Sequence, residues 1–261
     1  ASKCGNQVVS TSTAVNTFVE LKNLELSETK CSRIHVGKNK CHQCPPIMVN
    51  KDNIKESHKE KYLGDLLTSQ ASSSSTIQER KQKGYGILAE IAALLEDIPL
   101  GVRRFEIGMT LRQAWFLNGT LFNIEVWSSY SNADFKLLEV LDRKVLKVIL
   151  EAHSKTASEM LYLEFGALPI KHVIAVRRLC YLQTILQRDD SEIIKKVYIA
   201  QKNNPSKGDW VNLIKSDMTK YNLNISDNLI TDMTTLQFKK IVKEKVREEA
   251  FRELIELKKR P

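Results

Sequence analysis

The chain has 261 residues, 42% hydrophobic and 27% charged, with a formal net charge of +9. That composition excludes a disordered tail, and the length suffices for two modest domains or one elongated one with a real core. No stretch of eighteen uncharged apolar residues occurs and no secretory signal opens the chain, so a membrane span is not expected.

The charge is unevenly spread. Residues 1–68 carry 10 basic and 7 acidic side chains, residues 69–152 carry 10 of each, and residues 153–261 carry 20 and 14. A basic excess favours polyanionic partners through counterion release, although a solvated lysine-rich surface gives the same count. Five cysteines, Cys4, Cys31, Cys41, Cys44 and Cys180, are an odd number, four of them crowded near one end. Without a signal peptide they argue against a disulfide framework and for a reducing, intracellular compartment, nuclear or cytoplasmic. Ala1 rather than Met at the start fits a fragment or processed product.

In chain order, Val8, Val15, Phe18, Val19, Leu21 and Leu26 recur at helical spacing over residues 8–26. Residues 31–36 alternate, with Ile34 and Val36 opposite Arg33 and His35, which predicts a short strand. Gly37-Lys38-Asn39 reads as a turn, and Pro45-Pro46 as an extended entry to a second strand at 47–50. A third apolar run, Tyr62 to Leu67, is broken by Gly64. The uncharged stretch SQASSSST, residues 69–76, reads as a linker.

Beyond it every periodic segment is helical. Ile77, Leu88, Ile91 and Leu95 mark residues 77–96, and Phe105, Met109, Leu111, Ala114, Leu117, Leu121 and Ile124 mark residues 102–127, with Gly108 and Gly119 as weak points. Phe135, Leu138, Leu141, Val145 and Val148 or Ile149 set a clean 3-4 rhythm over 133–150. Pro169 opens a helix through VIAVRRLCYLQTIL that is apolar on most sides and therefore central. Shorter helices follow at 191–203 and 209–221. A last one carries Phe238, Ile241, Val242, Val246, Ala250, Phe251 and Leu254. The predicted fold is mainly α with a small N-terminal antiparallel β-sheet. Its parts are residues 1–68, the linker 69–76, a helical bundle at 77–152 and a helical region at 153–261.

Several patterns invite chemistry. Cys31, His35, Cys41 and Cys44 supply four soft ligands, two of them as a Cys-x-x-Cys knuckle. Cys31 and His35, however, stand about 13 Å apart along a strand and do not reach one ion, so a hairpin with scattered thiols is the favoured reading. Asp189-Asp190 has the look of a metal-binding pair, but its flanks are helical, and Asp190 or Ser191 is expected to cap the next helix. Lys83-Gly84-Tyr85-Gly86 lacks the strand before it and the Lys-Ser/Thr ending of a phosphate loop. His153 and His172 read as surface or turn residues, and no Ser, His and Asp are placed as a triad.

A helix ending in LELSETKCSRIHVG, a hairpin, and then KYLGDLLT is an order that resembles the end of the palm of non-LTR retrotransposon-type reverse transcriptases. Leu24, Ser27, Lys30 and Cys31 match that family's Leu-x-x-Ser-x-x-Lys-Cys segment with an allowance for spacing, and Tyr62, Leu63 and Gly64 match its Phe/Tyr-Leu-Gly strand. Arg112, Asn123, Glu125 and Trp127 are similar to its Arg…Glu-x-Trp helix. LDRKVLKVIL, LYLEFGALPI and RRLCYLQTIL resemble its downstream segments. The resemblance covers most of residues 1–188.

What it implies is an RNA-directed DNA polymerase from a transposable element, holding an RNA–DNA or RNA template–primer duplex with a thumb at 77–152. Nucleic-acid contacts are expected from Lys30, Tyr62, Leu63, Gly64, Lys81, Lys83, Arg103, Arg104 and Arg112. The family's Mg²⁺-binding aspartates are expected upstream of Ala1. This segment is then predicted to contain no catalytic residue, to hold no cofactor itself and to need the missing upstream part for synthesis. Two other readings compete. The C-terminal helices, with Tyr181, Trp210 and Phe251, are candidates for a protein–protein adaptor, and the Cys/His cluster for a zinc-dependent nucleic-acid module.

Overall fold

The computed structural model describes residues 14–22, 27, 31–34, 47–49, 52–62, 64–70, 72–128 and 130–259. The chain divides into two compact units, residues 1–75 and 76–261.

In the first unit a helix, α1, spans residues 14–21; the remainder of the helix expected at 8–26 lies outside the described residues. Its Asn16 side chain donates to the carbonyl of Met48 at 3.1 Å. Strands β1 (Ser32–Arg33), β2 (Met48–Val49), β3 (Asp52–Asn53), β4 (Lys55–Glu56), β5 (Lys59–Tyr62) and β6 (Asp65–Thr68) follow. β2 pairs with β3 and β5 with β6, both antiparallel. β1 lies parallel to β4, with Arg33 opposite Glu56 and their side chains 3.1 Å apart. The two strands expected at 31–36 and 47–50 are therefore not partners of each other among the described residues. In β5–β6, Tyr62 faces Asp65 across a two-residue connection. Gly64 has φ of 89°, a left-handed conformation that glycine adopts without a side-chain penalty.

The second unit is helical. α2 (Ser74–Leu95) takes up the last three residues of the expected linker, and the Ser72 hydroxyl accepts the Ser74 amide at 3.2 Å. α3 (Val102–Leu111) runs into a π-helical segment (Arg112–Leu117), α4 (Asn118–Thr120) and, after a left-handed Asn123, a 3₁₀ turn (Ile124–Val126). α5 (Asn132–Leu150), α6 (Ser158–Glu164), α7 (Ile170–Leu186), α8 (Ile193–Asn203), α9 (Trp210–Lys220), α10 (Asp227–Asp232) and α11 (Thr235–Lys258) complete it. A single helix expected over 102–127 is thus broken near its end.

α5 shows why these segments are helices. Ser131 and Asp134 form a capping box at its start, and Leu138, Leu141, Val145 and Ile149 bury one stripe of it. α2 crosses that stripe at Gly84, where a Cβ atom would stand 2.4 Å from Leu141 and 2.8 Å from Thr120. Glycine is therefore at 84 to let two helices touch, not to wrap a phosphate. α7 is central, as its apolar circumference predicts, and packs against α5, α8, α9, α10 and α11. Pro169 is its N-cap rather than its first helical residue. Two apolar clusters, one around α2, α3 and α5 and one around α7, α9 and α11, meet along it. Among the described residues no helix is long and apolar enough to cross a membrane.

Candidate nucleic-acid interface

α2 positions the largest group of candidate residues. Its inner side buries Ile77, Arg80, Gly84, Ile91 and Leu95. The opposite side, at 100° per residue, presents Gln82, Gly86, Ala89 and Ala93, all exposed. A Cβ atom on Gly86 would meet nothing within 4 Å, so this stripe is open and low. Cations flank it on both edges. Lys83 is exposed on the α4 side, where its Cε would lie 3.7 Å from a Cβ on Gly119. On the α5 side, Tyr85 carries the Lys144 ammonium 4.9 Å above its ring, with Nζ 3.4 Å from its hydroxyl. Lys81 lies half-buried on that same edge. Further along α5, Lys136 is exposed and Arg143 half-buried. The geometry offers a low ridge with lysines on either side and an aromatic ring beside it, and one exposed carboxylate, Glu90, stands between the ridge and Lys83.

Arg104 and Arg112 do not belong to this surface, and the expectation that they contact nucleic acid is corrected. Arg104 is 3% exposed. Its guanidinium donates to the carbonyls of Leu95 and of Ile98 (2.6 Å) at the end of α2, and to Val148 (3.1 Å) and Ile149 (3.0 Å) at the end of α5. A cation satisfies those terminal carbonyls and the negative end of both helix dipoles. Arg112, also 3% exposed, forms a bidentate pair with Asp142, both contacts 2.8 Å, and donates to the carbonyl of Leu168 at 3.0 Å. The Tyr162 hydroxyl donates to the same carboxylate at 2.9 Å, and burial beside that anion pushes its pKa well above the ordinary phenol value. Neither arginine is free to reach a phosphate. Arg103 is exposed in the first turn of α3.

Three segments meet at this buried pair: Arg112, Asp142 of LDRKVLKVIL, and Tyr162 and Leu168 of LYLEFGALPI. Trp127 is core, 3% exposed. Arg177 of RRLCYLQTIL donates to the carbonyl of Leu121 and to Asn118, both at 2.8 Å, closing the end of α4.

In the first unit, Tyr62 is 62% exposed on the β5–β6 hairpin beside Gly64. Lys30 and Leu63 lie outside the described residues. So do His35, Cys41 and Cys44 of the candidate zinc cluster, and Cys31 is a free thiol. Among the described residues no three His, Cys, Asp or Glu side chains converge to hold a metal ion. The Asp189 carboxylate accepts the Ser191 amide at 2.8 Å, a turn preceding α8. The N-cap of α8 is Glu192, neither Asp190 nor Ser191.

Sequence reasoning missed Tyr85 and Lys144. A tyrosine among lysines on a helix edge is a signal, but its partner stands 59 residues away. It also misplaced His172, which is fully buried rather than on a surface. Its Nδ1 is 3.0 Å from the Tyr221 hydroxyl and its Nε2 is 3.3 Å from the Glu253 carboxylate. Burial pushes its pKa down to about 4. Glu253 in turn is clasped by Lys171 at 2.5 Å and Lys220 at 2.8 Å. Burial works against its charge, yet the two ammonium groups hold its pKa down to about 2.

Comparison with known proteins adds no relative: no family model, no curated protein and no solved structure matches this chain.

Proposed function

We propose that the chain grips a nucleic-acid duplex without reading its sequence, as the end of the palm, the thumb and the helical C-terminal part of a retrotransposon-type reverse transcriptase. One observation carries this reading: an open helical ridge of Gln82, Gly86, Ala89 and Ala93 with Lys83 on one edge and Lys81, Tyr85 and Lys144 on the other. The minor groove of an A-form duplex is wide and shallow, and its recognition runs through shape, 2′-hydroxyls and phosphates. A low ridge approaches such a groove closely while cations on its two edges meet the two backbones. Tyr85 adds a flat ring held in place by Lys144. The likeness of the segments around residues 24–31, 62–64 and 112–188 to that polymerase family supplies the biological setting. In this setting the duplex is an RNA–DNA hybrid or an RNA template–primer.

Fluorescence anisotropy with a labelled RNA–DNA hybrid tests the reading. Three lysine–phosphate contacts give a slope of about −2 to −3 in log K against log salt. Lys83→Glu and Lys144→Glu are expected each to weaken binding by about three- to tenfold and to reduce the slope by about 1, equally across unrelated sequences. Binding that ignores both substitutions, or that shows no salt dependence, refutes it.

A further inference from the structure

The face of α8 leaves apolar surface open to solvent. Ile193 is 80% exposed and Val197 49% exposed, one turn apart on one stripe. Beside the stripe opens a cleft of about 140 Å³ walled by Val126, Tyr181, Ile185, Ile194 and Trp210. Its aromatic wall is already ordered: Tyr181 stands edge-on to Trp210 at 6.1 Å, and the Trp210 indole N–H donates to the Glu125 carbonyl at 2.6 Å.

The charges along this stripe select its occupant. Glu192 and Lys196 flank Ile193 and Val197 on one edge, again one turn apart, and Lys196 is exposed. Glu192 is held only loosely, 3.7 Å from Arg188. A two-fold axis through the middle of this turn places position 193 opposite 197 and position 192 beside 196. An acidic partner helix would oppose Glu192, and a basic one would oppose Lys196. A copy of the same helix running antiparallel matches both.

We infer that α8 is a self-association surface on which a second copy of this chain lies antiparallel, each Ile193 against the other's Val197 and each Glu192 beside the other's Lys196. The incoming Ile193 then sits at the mouth of the cleft and shields Trp210. The surface is independent of the duplex-gripping ridge, and self-association stands or falls apart from that reading.

Sedimentation equilibrium of the full chain over about 1 to 300 μM is the test. The mass is expected to rise from the 29.8 kDa of one chain towards twice that value, with a change in tryptophan emission over the same range that Trp210→Phe removes. Ile193→Glu and Val197→Lys should each weaken association by about tenfold or more, with unchanged circular dichroism since both side chains are exposed. Glu192→Lys and Lys196→Glu should weaken it singly, and the double exchange should restore it. A chain that remains monomeric throughout overturns the inference. A dimer indifferent to these substitutions, or single charge changes that the double exchange does not rescue, does the same. So does binding of a lipid vesicle or an unrelated peptide at this face without self-association.

Discussion

Removing one member of the Arg112–Asp142 pair gives the sharpest separation of structural from functional arginines. Both side chains are excluded from solvent, at 4% and 0% exposure, and they share two 2.8 Å contacts. Asp142→Ala leaves a guanidinium buried with only the Leu168 carbonyl to accept from it, which is expected to cost about 3–5 kcal/mol. Arg112→Met leaves a buried carboxylate supported only by Tyr162, with a similar expected loss. Replacing the charges together, as Arg112→Met with Asp142→Leu and Tyr162→Phe, removes the uncompensated groups. It should cost far less than the sum of the separate changes. For a unit of this size each kcal/mol moves the melting temperature by about 2–4 °C, so each single variant should melt about 6–20 °C lower. Urea titration gives the free energies, with an unchanged m-value as the check that the unfolded state is the same. Hybrid-binding anisotropy below the melting range supplies the second readout. Arg112→Met should bind as the parent chain does, whereas Lys83→Glu should not. If Arg112→Met keeps full stability and loses binding, the arginine is a phosphate contact and the description of the buried pair is wrong.

Acidification should weaken the helical unit in two steps. The unfolded chain protonates His172 near its ordinary value of 6.5, but the folded one does so only at about 4, so stability declines as pH falls through that window. The full loss is about 3 kcal/mol. Glu253 contributes stability that is present above about pH 4.5 and lost as pH falls towards 2. Urea midpoints at pH 7 and pH 5 measure the first step, and His172→Asn should flatten it; an unchanged slope in that variant rejects the assignment. Gly84→Val should destabilise by about 3 kcal/mol or more, because its Cβ would overlap Leu141 and Thr120, while Gly86→Ala, into open space on the same helix, should not. Thermal melts of the two variants side by side decide this. Ser131→Ala removes the hydroxyl that accepts the Asp134 amide at 3.1 Å, and a loss of about 1 kcal/mol is expected by urea titration.

Local patterns made most helices readable. α5 announces itself through a Ser-x-x-Asp start and apolar residues at 138, 141, 145 and 149, and α7 through an apolar stretch after Pro169. Strand partners were not readable. β1 and β4 contain two residues each, and a two-residue strand carries no alternation by which to choose a partner 23 positions away. The π-helical turn at 112–117 adds a residue to the turn but has no residue-type signature of its own, so the apolar spacing predicts a continuous helix. Charge alone does not place a side chain at the surface. Arginine is seldom buried, and nothing local to Arg104 or Arg112 reveals that carbonyls 45 and carboxylates 30 residues away will enclose them. On α2, Lys83 is exposed and Lys81 half-buried, and Gln82, Gly86 and Ala89 mark the outward side within a single helix.

The residues behind the family likeness and the residues behind the proposed grip form different sets. Arg112, Trp127, Asp142, Tyr162 and Leu168 are enclosed; they tie α5, α6 and the π-helical turn together. Lys83, Tyr85, Gly86 and Lys144 face outward and Lys81 is half-buried beside them; four of the five share one helix, α2, and Lys144 joins them from α5. A pattern enclosed in the core speaks for a fold, and a fold is compatible with many activities. On the proposed reading the activity lies on the ridge. A chain could keep the Arg112–Asp142 lock and lose every lysine on α2, and on the proposed reading it would keep the fold and lose its grip on the duplex. Conversely, adding acidic residues at 83 and 144 leaves the lock untouched. Loss of hybrid binding in such a variant at unchanged melting temperature would place the function on that surface and nowhere else in the helical unit.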